Sequence, residues 1–219
     1  MKSLTFSPTG SADVRGVSCE TQLCATYHDL VKLMNSAKIT RALILDFKKA
    51  FDKVPYLLQK LKNIANLDIP LVNWIPNFLT RRTQKVVVNS QAPSICDVTS
   101  CVPQGFLMGP TLFLLYINNL PGTVTCNTSL YADDTLLYQV NPKLKRLDFQ
   151  TNIDAVYEWP QNWETPFNVT KCPAITFCSW DVLPSYMLGT TKVTWVEETS
   201  RTWGVIKHEL RTAPKKANC

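Results

Sequence analysis

The sequence predicts an α/β fold of the α+β kind, on three observations. Apolar residues recur at helical spacing in several segments, as over residues 20–35, where Leu23, Tyr27, Leu30, Val31 and Met34 line one face. Between such segments lie short apolar runs of strand character, such as Ala42-Leu43-Ile44-Leu45. Finally, Leu130-Tyr131-Ala132-Asp133-Asp134-Thr135-Leu136-Leu137-Tyr138 sets two adjacent acids between apolar, aromatic and β-branched runs, and this reads as an antiparallel hairpin with its acids at the tip.

The elements follow in chain order. Residues 1–17 are polar and contain Gly, Pro and Ser, so they are expected to be irregular. After the helix at 20–35, the run Ala42-Leu43-Ile44-Leu45 ends at Asp46, an acid at the carboxyl end of a strand, from which functional groups often project. Leu57, Leu58, Leu61, Ile64 and Ala65 predict a second helix beyond Pro55, and Leu71, Trp74, Ile75, Phe78 and Leu79 a third. Residues 80–85 read as a basic turn leading into a Val86-Val87-Val88 strand, with another strand near 97–100. That basic cluster suits a solvated loop and phosphate contact equally.

Val102-Pro103-Gln104-Gly105 is a loop signal, and Gly109-Pro110 opens a helix through Leu112, Phe113, Leu115, Tyr116 and Leu120 that Pro121-Gly122 ends. Residues 144–163 again have helical spacing, with Pro160 inside the pattern, where it is expected to kink or end the helix. Strands are expected at 174–178, 186–188 and 192–196. A basic, Pro-containing tail from Arg211 is expected to be disordered.

A chain of 219 residues with 45% hydrophobic content has ample material for a core and suits one large domain, or one domain and a fragment of another. Net charge is +6 and the pI about 8.9, a modest, dispersed excess that suits an anionic partner such as nucleic acid. The first residues lack an apolar core of signal-peptide length, and the apolar run at 112–117 is far too short to span a bilayer. The expectation is therefore a soluble intracellular protein without a membrane partner. Cysteines stand at 19, 24, 96, 101, 126, 172, 178 and 219 with no C-x-x-C spacing, and His28 and His208 are the only histidines. No zinc site can be drawn from them, and the cysteines are expected to be small, mostly buried hydrophobes.

By itself, Asp133-Asp134 suits a solvated turn. Two like charges held side by side repel, so a fold keeps such a pair solvated, paired with a cation or coordinating a metal.

The wider set of motifs changes that balance. Ser18-Cys19-Glu20-Thr21-Gln22-Leu23 is followed by Leu45-Asp46-Phe47-Lys48-Lys49-Ala50-Phe51-Asp52-Lys53-Val54-Pro55, then Trp74-Ile75 with Phe78-Leu79, and Val102-Pro103-Gln104-Gly105. Gly109-Pro110 leads into Phe113-Leu114-Leu115-Tyr116-Ile117-Asn118. Ala132-Asp133-Asp134, Phe167-Asn168 with Lys171-Cys172, and Trp203-Gly204-Val205 complete the series. In this order, over nearly the full chain, the motifs resemble the reverse transcriptase domain of non-LTR retrotransposons, the LINE class, and most closely its jockey-like members. The series looks much less like the reverse transcriptases of group II introns or telomerase.

The resemblance implies a polymerase palm with partial fingers over residues 18–206, in which a mainly antiparallel sheet carries the acids and helices pack on one face. Residues 207–219 are then a basic tail. It implies an RNA-directed DNA polymerase acting on an RNA template, a DNA primer and deoxynucleoside triphosphates, with two Mg²⁺ or Mn²⁺ ions. Asp46 and Asp133 are implied as metal ligands, with Asp134 completing the cluster. Phe51 matches the aromatic residue under the incoming sugar that disfavours a 2′ hydroxyl. Gln104 and Gly105 match the loop that contacts nucleotide and template, and Lys171 matches a lysine near the leaving pyrophosphate.

The chain departs from the pattern at Ala12-Asp13-Val14-Arg15-Gly16-Val17, where the family usually has Gly-Phe-Arg and a second arginine nearby. It also departs at Cys101 and Phe106, where Gly and Ser are usual, and at Pro160 and Pro166. Missing fingers, endonuclease and thumb segments give the expectation of a chain truncated at both ends. The alternative expectation is a catalytically inactive remnant that at most binds nucleic acid non-specifically. Residence in the nucleus or the cytoplasm is compatible with the resemblance, and no targeting signal is visible.

Overall fold

The run Thr40–Asp46 forms the strand around which the sheet is built, and Ala42, Leu43, Ile44 and Leu45 within it are each 0% exposed. A strand covered on both faces carries an uninterrupted apolar run instead of an alternation, as this one does. The computed structural model describes residues 5–6, 12–13, 19–35, 40–51, 54, 56–63, 69–80, 82–84, 96–98, 108–131, 133–140, 146–177 and 183–196. The strands are β1 (Thr5–Phe6), β2 (Ala12–Asp13), β3 (Thr40–Asp46), β4 (Arg82–Gln84), β5 (Cys96–Val98), β6 (Asn127–Tyr131), β7 (Asp134–Val140), β8 (Ala174–Phe177), β9 (Met187–Leu188) and β10 (Thr191–Lys192). The helices are α1 (Cys19–Asn35), α2 (Leu57–Asn63), α3 (Ile69–Leu79), α4 (Met108–Ile117) and α5 (Arg146–Trp163), with single 3-10 turns at Pro121–Thr123 and Val169–Lys171.

The main sheet runs β2-β1-β6-β7-β3-β8 with antiparallel pairing throughout, and β9–β10 and β4–β5 form separate antiparallel pairs. On one face Leu43, Leu45, Leu130 and Leu137 pack with Leu57 and Leu61 of α2, Ile75 of α3, Phe113 and Ile117 of α4, and Phe149, Ile153 and Val156 of α5. Residues of opposite parity, Ala42, Ile44, Leu136 and Tyr138, pack on the other face with Leu30 of α1. There the buried Thr26 hydroxyl hydrogen-bonds Ser129 of β6 at 3.0 Å. The α/β class with an antiparallel sheet is as expected, refined in that α1 covers the face opposite the other helices.

Several local expectations change. Asp134 is the first residue of β7 and lies beyond the hairpin turn, which leaves Asp133 as the acid in the turn. Arg82–Gln84, expected within a basic turn, is itself a strand because it finds a partner: Thr83 pairs with Asp97. Thr5–Phe6 and Ala12–Asp13 also pair, inside a stretch expected to be irregular. Helix α5 continues through Pro160 to Trp163, since Trp159 and Trp163 are both held by ring packing against Tyr116. Tertiary contact at both residues offsets the proline cost. Among the described free cysteines Cys172 is buried, Cys126 half-buried and Cys24 exposed, so burial does not extend to all of them. Ile64, Ala65, Val86-Val87-Val88, Trp203-Gly204-Val205 and the tail from Arg211 lie outside the described residues.

Candidate active site

The geometry at the carboxyl end of β3 follows from strand register. β3 pairs with β7 from Thr40↔Val140 through to Asp46↔Asp134, and β7 pairs with β6 up to Tyr131↔Asp134. Residues opposite one another in an antiparallel ladder project from the same face, so Tyr131, Asp134 and Asp46 form a row across three neighbouring strands. By parity the row continues the face of Ile44 and Leu136, and Asp133 stands in the adjoining turn. All three acids are half-buried. The register thus sets Asp46 opposite Asp134, with Asp133 next to Asp134 in the turn.

Directly opposite residues have Cβ atoms about 5 Å apart, and like charges there destabilise the pair. A hard divalent cation removes that repulsion and prefers carboxylate oxygens, so the donor set at Asp46 and Asp134 has the chemistry to hold one. Among the described residues no group of three His, Cys, Asp or Glu side chains gathers closely enough to form a complete metal site. The backbone therefore supplies proximity without a closed cage of ligands.

The end of β3 is clamped by the segment after α5. Asn168 N–H donates to the Asp46 carbonyl at 2.7 Å and Lys48 N–H to the Pro166 carbonyl at 2.8 Å, while Phe47 bridges to Phe167. Asp46 N–H in turn points at Cys172 Sγ, 3.3 Å away. Buried Cys172 and Asn168 hold the Asp46 main chain, a role that spacing alone does not disclose. The aromatic residue next to each partner is the usable sequence signal: the Phe47 and Phe167 rings pack at 4.7 Å.

Lys171 is exposed at the end of the 3-10 turn, three residues beyond Asn168, and its N–H closes that turn on the Asn168 carbonyl at 2.8 Å. The structure therefore puts the Lys171 backbone beside the strand that carries Asp46. Phe51 lies past β3 with its ring 5.4 Å from that of Phe113, half-buried on the rim of the core. Just before it, Lys49 takes a φ of 57°, which turns the chain sharply away from the strand. Gln104 and Gly105, with Cys101 and Phe106, lie outside the described residues, as does Ala132.

Residues 6–205 match the family model described as "Reverse transcriptase (RNA-dependent DNA polymerase)". The chain belongs to the reverse transcriptase family. It is 30% identical over 171 residues to "RNA-directed DNA polymerase from mobile element jockey" of Drosophila melanogaster, a match covering 72% of this chain and 18% of that protein. The protein of the same name from Drosophila funebris is 32% identical over 147 residues, 61% of this chain and 16% of the relative. A third relative, "Probable RNA-directed DNA polymerase from transposon X-element" of Drosophila melanogaster, is 26% identical over 188 residues, 81% of this chain and 20% of the relative. The aligned part is thus about a fifth or less of each relative's length. Reverse transcriptases generally use divalent metals and act on a nucleic-acid template and primer. No helix among the described residues is long and apolar enough to cross a membrane.

Proposed function

We propose that this chain supports RNA-directed DNA synthesis as the palm of a jockey-like reverse transcriptase. A primer 3′ oxygen bonds to the α-phosphorus of a deoxynucleoside triphosphate, the bond from that phosphorus to the β-phosphate's bridging oxygen breaks, and pyrophosphate leaves. Two bound Mg²⁺ or Mn²⁺ ions would supply charge neutralisation at the attacking and leaving oxygens. Asp46 and Asp133 would hold them, with Asp134 completing the acidic set.

The remaining roles belong to side chains around those acids. Phe51 lies under the incoming sugar and leaves no room for a 2′ hydroxyl. Gln104 and Gly105 contact nucleotide and template, Gly permitting close backbone approach. Lys171, exposed on its turn, offers its ammonium to the departing pyrophosphate. The working unit is the palm with partial fingers over residues 18–206, to whose main sheet β1 and β2 add edge strands, and a basic tail follows it.

The observation that carries this reading is the Asp46↔Asp134 register with Asp133 in the adjoining turn. The purified chain is expected to extend a DNA primer on an RNA template with Mg²⁺ or Mn²⁺, and Asp133→Asn to abolish extension. Salt-sensitive nucleic-acid binding by a well-folded chain, without extension under either metal, would overturn the reading in favour of an inactive remnant.

A further inference from the structure

Lys60 of α2 is 6% exposed, and none of the chemistry above uses it. A buried amine is costly unless its donors are satisfied, and an apolar side chain would fill the same space without that cost. Here its donors meet two oxygens, at the end of α4 and in the turn that follows it, and the ammonium sits against rings of α4 and α5. Lys60 Nζ donates to the Tyr116 carbonyl in the last turn of α4 at 2.5 Å and to Asn119 Oδ1 at 2.9 Å. It also lies 4.5, 4.4 and 3.6 Å from the ring centroids of Tyr116, Trp159 and Trp163. Asn119 Oδ1 is shared with Trp159 Nε1 at 3.0 Å, so the oxygen that receives Lys60 also fixes α5.

From this cage the contacts run on to the carboxylate end of β3. The Tyr116 hydroxyl donates to the Trp163 carbonyl at 2.7 Å and lies 2.8 Å from Thr165 Oγ1, on a residue wholly buried. The next residues are those whose backbone bonds Lys48 and Asp46. We propose that Lys60 is a positioning residue for the carboxylate site, pinning the end of α4 to the end of α5 and so fixing the connection 163–168 that clamps Asp46. The inference rests on the carboxylate reading above for its functional consequence, and on the contacts alone for its mechanical one. A neutral amine retains N–H groups for both oxygens, so the pin operates in either protonation state.

The test uses the full chain with Lys60→Met, which keeps the stem and removes the donors, and Tyr116→Phe, which keeps the Lys60 contacts and cuts only the link to 163–165. Amide hydrogen exchange is read at Lys48 and Asn168, with the β6–β7 ladder as internal reference. Both variants are expected to speed exchange at those two amides by about tenfold, the worth of roughly one hydrogen bond, and to leave the ladder unchanged. No change at either amide, or equal acceleration across the ladder, would overturn the proposal. Mn²⁺ binding followed by electron paramagnetic resonance reads the other layer, with Asp46→Asn as the control. Weakened Mn²⁺ affinity in both variants supports positioning of the site, and unchanged affinity overturns it. Wild-type chain that binds no Mn²⁺ refutes the carboxylate reading, and with it Lys60's role in positioning that site; the exchange arm then judges the clamp alone.

Discussion

Asp46 and Asp134 stand opposite one another in the β3–β7 ladder, and the consequence is electrostatic. Like charges directly opposite cost roughly 0.2–1 kcal/mol. Asp134→Asn is therefore expected to raise stability by about that amount in metal-free buffer. If the pair holds a divalent ion, Mn²⁺ stabilises the wild-type chain by linkage, about 2.7 kcal/mol at a hundredfold excess over Kd, and stabilises the variant much less. Urea unfolding with chelator and with Mn²⁺ gives both numbers. An equal metal response in the two chains would remove Asp134 from the metal site. Asp46 at a strand end and the tandem acids in a hairpin were legible in the sequence, because an apolar run ending in an acid has few other readings. Which tandem acid lies opposite Asp46 was not, since β3 is buried on both faces and its unbroken Ala42-Leu43-Ile44-Leu45 run carries no alternation to mark a side.

Among the elements, α5 and the β9–β10 hairpin show what local rules omit. Proline in a helix interior costs roughly 3 kcal/mol, yet α5 passes Pro160 because Trp159 and Trp163 on either side are engaged by Tyr116 and Lys60, residues remote in sequence. Leu188 pairs with Thr191 across a two-residue turn in which Gly189 has φ 61° while Thr190 is not among the residues of positive φ, the pattern of a type II′ turn. That turn approaches α5 so closely that a Cβ on Gly189 would lie 2.3 Å from Tyr157 Cζ. Gly189→Ala thus meets both backbone strain and a ring that must move, and is expected to destabilise by about 1–3 kcal/mol. Adding Tyr157→Ala should recover the steric part in a double-mutant cycle of urea midpoints. An unchanged midpoint in Gly189→Ala alone would show that the turn does not need glycine.

Across the whole molecule, burial of a few ionisable groups sets how stability follows pH. Burial brings Lys60 down from 10.5 to about 7, against the pull of its two hydrogen bonds and three rings. The unfolded chain keeps that proton until about 10.5, so between about 7 and 10.5 it binds more protons than the folded chain and stability rises with pH, by at most about 1.4 kcal/mol per unit. Burial acts oppositely on groups whose charged form is an anion. Cys126 is pushed up from 9.0 to about 12, and Tyr116 and Tyr138 from 10.0 to about 12. For these the folded chain holds the extra proton, so their contribution is full below the unfolded pKa and is lost as pH rises towards 12. Stability should therefore climb above pH 7, turn over once the thiol and then the phenols begin to titrate in the unfolded chain, and fall beyond pH 10. Lys60→Met removes the climb and keeps the fall. Urea unfolding at a series of pH values tests this directly: a variant that still gains stability between pH 7 and 9 as the wild type does would mean that the Lys60 ammonium is not destabilised by burial, and that its cage compensates fully for the lost water.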